Sequence, residues 1–200
     1  MTRLITTAIF ILTVSVLTAQ TKDKTIFVGN VISDTTTFRS NDYRSALTSI
    51  LKSKNKIEIR FIASPSFKQP NYIILTYNKK WNAKRFYYKP GTDLLLSKDV
   101  NIMNIDTVFS QLVINNIFSL PDQKSLKKGK YTYNPVTNEF INSVMSSVDG
   151  TCYYIEFKVG DLYRRYRYWN PDVYADFYPQ VYELRNAANI VKIFNEWIKE

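Results

Sequence analysis

The stretch from Thr151 to Trp169 constrains the fold of this chain more than any other. Read with Gly160-Asp161 as a two-residue loop, it closes into a β-hairpin whose pairs sort by chemistry. Val159 meets Leu162, Phe157 meets Arg164, Ile155 meets Tyr166 and Tyr153 meets Tyr168 on one face. Lys158 meets Tyr163, Glu156 meets Arg165 and Tyr154 meets Arg167 on the other. The first face is mostly apolar and aromatic; the second is charged and carries a matched Glu–Arg pair, the kind of cross-strand pairing that stabilises a sheet.

A hairpin of this kind needs more strands and a covering layer, and the preceding chain supplies both. Lys56 to Ala63 alternates, with Ile57, Ile59, Phe61 and Ala63 on one side and Glu58, Arg60 and Ile62 on the other. Asn71 to Tyr77 and Lys84 to Lys89 read as further strands, and a weaker signal covers Thr25 to Ile32. Helical spacing places Tyr43, Ala46, Leu47, Ile50 and Leu51 on one stripe after a cap at Ser40 or Asn41. A second helix runs from about Ile105 to Leu120, stopped by Pro121. Residues 122–142 read as irregular. Asn170-Pro171-Asp172 starts a short helical turn with Pro in the first position, and a longer helix follows from Pro179, burying Val181, Leu184, Ala188, Val191, Phe194 or Asn195, and Ile198, with Trp197 at its edge. The expected fold is α+β, an antiparallel sheet of about five to six strands with two or three helices on one face. The opposite face is expected to be exposed and to present Arg, Lys and Tyr.

The N-terminus gives an address. Arg3 precedes an uncharged run from Leu4, and Leu17-Thr18-Ala19 ends it, the three parts of a secretory signal peptide. Sixteen residues from Leu4 to Ala19, diluted by hydroxyls, fall short of the roughly 20 needed to span a bilayer. Residues 1–19 are therefore assigned as a cleaved signal and 20–200 as one domain, periplasmic or extracellular, with no integral membrane segment left after cleavage.

Composition then removes chemistries. The chain has no histidine and one cysteine, Cys152. That excludes His-based acid–base and nucleophile activation, the usual zinc sites and an internal disulfide. Cys152, among strand residues, is expected to be buried. No metal site, cofactor or catalytic residue is assigned. A carboxylate pair drawn from Asp149, Glu156, Asp161, Asp172, Asp176 and Glu183 remains as the one route to hydrolysis.

Charge points to the partner. Of 27 Lys+Arg and 17 Asp+Glu, the signal segment removes only Arg3, and the excess of basic residues lies before residue 149. An exported basic protein suits an anionic polymer, a lipid surface or an acidic protein rather than nucleic acid. Two candidate surfaces follow. The first is the polar hairpin face: Tyr154, Glu156, Lys158, Tyr163, Arg165 and Arg167, rich in the residue types that dominate binding hot spots. The second interleaves bases with an aromatic: Lys79, Lys80, Trp81, Lys84 and Arg85, with Lys89 beyond. The expected function is a non-enzymatic binding protein recognising another protein, with neutralisation of a toxin or hydrolase as one form. Binding of an anionic envelope glycan or lipid is the alternative.

Overall fold

The computed structural model describes residues 47, 49–127, 130–147 and 149–198. The signal segment, the strand over Thr25 to Ile32 and most of the helix after Ser40 lie outside the described residues. The end of that helix is a single 3-10 turn, Ile50–Lys52. Ile50 is buried as expected, whereas Leu51 is exposed.

The architecture is α+β. Strands β1 (Ile57–Pro65), β2 (Asn71–Tyr77), β3 (Trp81–Tyr88) and β4 (Leu95–Asp99) form an antiparallel meander. After helix α1 (Ile105–Ile114) the chain passes a separate hairpin, β5 (Lys130–Asn134) and β6 (Glu139–Ser143). It returns as β7 (Thr151–Val159) and β8 (Leu162–Trp169), and ends with α2 (Pro171–Phe177) and α3 (Tyr182–Ile198). Because β7 pairs with the free side of β1, the six-stranded sheet has the order β4-β3-β2-β1-β7-β8. The β7–β8 register is the one read from the sequence, from Val159 opposite Leu162 to Tyr153 opposite Tyr168. Gly160 takes φ +56° at the turn, a conformation a glycine adopts without steric cost.

Helix α1 ends earlier than its apolar spacing suggests. Asn116 takes φ +60°, its N–H donates to Val113 O at 2.8 Å, and the Ile117 N–H donates to Leu112 O at 3.1 Å. This pair of bonds is a Schellman stop with Asn in the left-handed position. The stop still leaves Ile117, Phe118 and Leu120 in the core, now from a turn.

The core lies between the helices and one sheet face. Ile57, Ile59 and Phe61 of β1 and Ile155 and Phe157 of β7 meet Leu184, Ile190 and Phe194 of α3 and Phe109 and Leu112 of α1. Phe61 stacks on Phe194 with ring centroids 4.5 Å apart, and Phe118 meets Phe157 edge-on at 4.9 Å. Along α3 the buried stripe uses Ala187 and Ile190 in place of Ala188.

Two expectations need correction, and one strand was not foreseen. The sheet face away from these helices is exposed only towards β3 and β4, as at Lys84 and Asp99; around β1 and β7, Glu58, Arg60, Ile62, Ser64, Tyr72, Cys152, Glu156 and Arg165 are all buried there. Residues 122–142 are not irregular throughout, because Asn134 to Asn138 turns the β5–β6 hairpin. Strand β4 carries too few apolar residues to announce itself, and is held through its register with β3. Among the described residues no helix is long and apolar enough to cross a membrane.

Candidate functional site

Strands β1, β7 and β8 place four cross-strand rows on the face away from the helices. In order they are Ser64–Cys152–Trp169, Ile62–Tyr154–Arg167, Arg60–Glu156–Arg165 and Glu58–Lys158–Tyr163. The last two rows form a buried ionic lattice. Arg60 Nε donates to Glu58 Oε1 at 2.7 Å, and Ser53 and Asn55 hold the other Glu58 oxygen. Arg165 Nε lies 3.5 Å from Glu156 Oε1, and its guanidinium sits over the Tyr154 ring at 4.5 Å. The Lys158 ammonium donates to Ser53 O. Low dielectric makes such a lattice stiff as well as costly to disturb.

A cleft of about 540 Å³ opens over the first two rows. Ser64, Cys152, Tyr154, Arg167 and Trp169 form its floor and sides, Lys124 joins from the loop after α1, and Tyr174 from α2. The volume is in the range of small-ligand sites. Of the cations in these rows, Arg60 and Arg165 are matched by Glu58 and Glu156, Lys158 is held by backbone carbonyls at the far end, and Arg167 is the one that lines the cleft. The Arg167 guanidinium and the Lys124 ammonium have no ion-pair partner among the described residues.

A single carboxylate fixes both of these residues. Asp122 Oδ2 accepts the Arg167 N–H at 3.1 Å, and Asp122 Oδ1 accepts the Lys124 N–H at 2.9 Å. Next to it, buried Gln123 accepts the Trp169 N–H and donates to Trp169 O at 3.3 Å. Side chains of the 122–123 turn thus take the place of a strand along the β8 edge at Arg167 and Trp169. Two phenols tie the same crossover from below: Tyr166 donates to Ile117 O at 2.7 Å and Tyr168 to Pro121 O at 2.8 Å. Burial pushes the Tyr166 phenol well above the usual tyrosine value, Tyr168 adding to the shift and Arg164 opposing it. Burial likewise raises Tyr168, with Glu183 and Asp122 adding to it.

The hairpin-face residues therefore divide. Tyr154 and Arg167 line the cleft, Glu156 (3 % exposed) and Arg165 (5 %) lie buried in the lattice, and Lys158 is anchored with Tyr163 across from it. The meander residues do not form one patch. Lys79 and Lys80 are exposed on the β2–β3 turn. Trp81 packs on Phe109 at 4.7 Å on the helix side, and Arg85 bonds Asn71 at 3.3 Å. Lys84 points to the other side, 3.8 Å from exposed Asp99. Gln123, Lys124, Ser64 and Tyr174 carry no motif, and only the tertiary return of β7 to β1 assembles them. Among the described residues no cluster of acidic or sulfur ligands fits a metal ion.

No family model matches this chain, and no curated protein or solved structure is significantly similar to it.

Proposed function

We propose that this is an exported, non-enzymatic binding protein that holds an acidic saccharide in the cleft over β7 and β8. The observation that carries the reading is the pair of cations, Arg167 and Lys124, which have no ion-pair partner among the described residues and whose main chain is positioned by the one Asp122 carboxylate beside Tyr154, Trp169 and Tyr174. Such a mixture supplies charge for a carboxylate or sulfate and flat aromatic surface for a sugar ring. Ser64 adds a hydroxyl within the cleft and exposed Ser66 another at its rim. Binding is favoured over hydrolysis because the nearby carboxylates are already engaged: Glu156 with Arg165, Asp122 with two N–H groups. Screening the whole protein against acidic and neutral oligosaccharides tests the proposal; selective retention of the acidic members supports it, and indifference to charge counts against it.

A protein partner is a second reading, favoured by one observation. The β5–β6 hairpin exposes Tyr131 (68 %), Phe140 (71 %) and Val136 (90 %) together with Ile141. A lone two-stranded hairpin is marginal in water, and exposed apolar side chains concentrated on one arm suit a protein contact. Tyr131→Ser with Phe140→Ser should remove such a partner while leaving saccharide binding intact.

A further inference from the structure

We infer that the end of the sheet opposite the cleft is a docking surface for anionic lipid. Separate chain segments are laced together at this end. The Gly160 N–H donates to Lys56 O at 3.0 Å, and the Lys56 N–H donates to Asn78 Oδ1 at 3.0 Å. Asn78 in turn donates to Asn55 Oδ1 at 2.8 Å. The lacing sets Lys52, Lys54 and Lys56 beside Lys79 and Lys80 of the β2–β3 turn, all five exposed. Across residues 51–56, 78–80 and 160–162 the one carboxylate is Asp161.

Charge alone would suit any polyanion. What favours lipid is the apolar component: Leu51 is 61 % exposed and Leu162 42 % exposed at this same end. Leu51 O lies 3.5 Å from the Lys158 ammonium, which ties that leucine to the start of the hairpin turn. Leucines that reach the acyl boundary while lysines meet the phosphates are the makings of an interfacial contact. A soluble polymer gives no return for leaving two leucines in water. Lysine, a compact point charge, also suits a diffuse headgroup layer better than the bidentate fork of arginine. The arrangement has a geometric consequence. At roughly 3.3 Å per residue, the run from Lys56 along β1 to the rows of Ile62 and Ser64 holds the cleft roughly 20–26 Å from the docked end.

Flotation of the whole protein with vesicles tests this independently of the cleft. Vesicles of equal parts phosphatidylcholine and phosphatidylglycerol should carry the protein, pure phosphatidylcholine should not, and raised salt should release it. Each lysine near the surface should count for about fivefold in partition. Lys79→Gln with Lys80→Gln should therefore lower partition by at least about tenfold. Lys68→Gln, the same charge change on the β1–β2 turn at the far end, should change it less than about twofold. Leu51→Ser with Leu162→Ser should weaken vesicle binding without changing the thermal midpoint appreciably. Three results would each overturn the proposal: no binding to the anionic vesicles, an equal loss per charge from the far-end variant, or leucine variants that bind as well as the parent. Retention on soluble heparin with no vesicle binding would assign the lysines to a polymer instead.

Discussion

The side-chain amide of Asn170 occupies the place that a β-carbon on residue 150 would take, its atoms 2.0 to 2.3 Å from that position. Gly150 has φ +145°, which an L side chain rarely adopts. The amide is held by the Thr151 N–H at 2.8 Å and donates to Asp149 O at 2.8 Å and Ser147 Oγ at 3.0 Å. Entry into β7 and exit from β8 are thereby locked together. Gly150→Ala should cost about 3 kcal/mol, from backbone strain together with the collision. Urea unfolding measures it. Combined with Asn170→Gly, the glycine change should cost less than it does alone, because the obstacle is gone.

Glu156 and Arg165 read from the sequence as an exposed recognition pair and lie buried in the structure. Removing one member leaves a buried charge unmatched, at about 3–5 kcal/mol. Glu156→Gln and Arg165→Met should each destabilise the fold by that order, and Glu156→Leu with Arg165→Met should cost less than the sum. Arg165→Glu should fail to fold rather than block a partner selectively. Circular dichroism and urea titration decide between these outcomes.

Much of this was legible in the sequence. The hairpin register followed from alternation and the Gly160 turn, and the core face of β1 from Ile57, Ile59 and Phe61. Those signals are local. The burial of Glu156, Arg165 and Arg60 was not legible, since alternation separates two faces without saying what covers each. Nor was the cleft. Lys124 and Gln123 reach it only because β7 pairs with β1 and the loop after α1 then runs along β8. The β5–β6 hairpin escaped notice because most of its side chains remain in solvent, leaving no clear alternation of buried and exposed positions.

The two buried phenols predict an alkaline limit to stability. Burial raises Tyr166 and Tyr168 above their unfolded values. Below about pH 10 both are protonated in either state, and their contribution is complete. Above it the unfolded chain releases protons that the folded chain keeps, so stability falls with rising pH by up to roughly 1.4 kcal/mol per pH unit for each phenol. Urea midpoints at about pH 9 and about pH 11 should show this loss. Tyr166→Phe should lower stability throughout, by about 1–3 kcal/mol for the unpaired Ile117 carbonyl, and should flatten the alkaline slope.

Asp122 offers a test in which geometry and simple charge disagree. Removing a negative charge beside two cations should, by charge alone, strengthen binding of an anion. Because Asp122 holds the main chain of both Arg167 and Lys124, Asp122→Ala should instead weaken acidic-saccharide binding, by roughly tenfold if about 1.4 kcal/mol of positioning is lost. A gain in affinity would show that the carboxylate acts only as a repelling charge.

In the proposed function, Arg167 recognises an anionic group on a sugar. Isothermal titration of the whole protein with a uronic-acid oligosaccharide, and with its carboxyl-reduced neutral counterpart, is the decisive measurement. The acid alone should bind, and Arg167→Gln should lose about 10- to 100-fold, as expected for a charge-assisted hydrogen bond, with an unchanged thermal midpoint. Equal binding of the two sugars, or an Arg167→Gln variant that binds the acid as tightly as the parent, would contradict it.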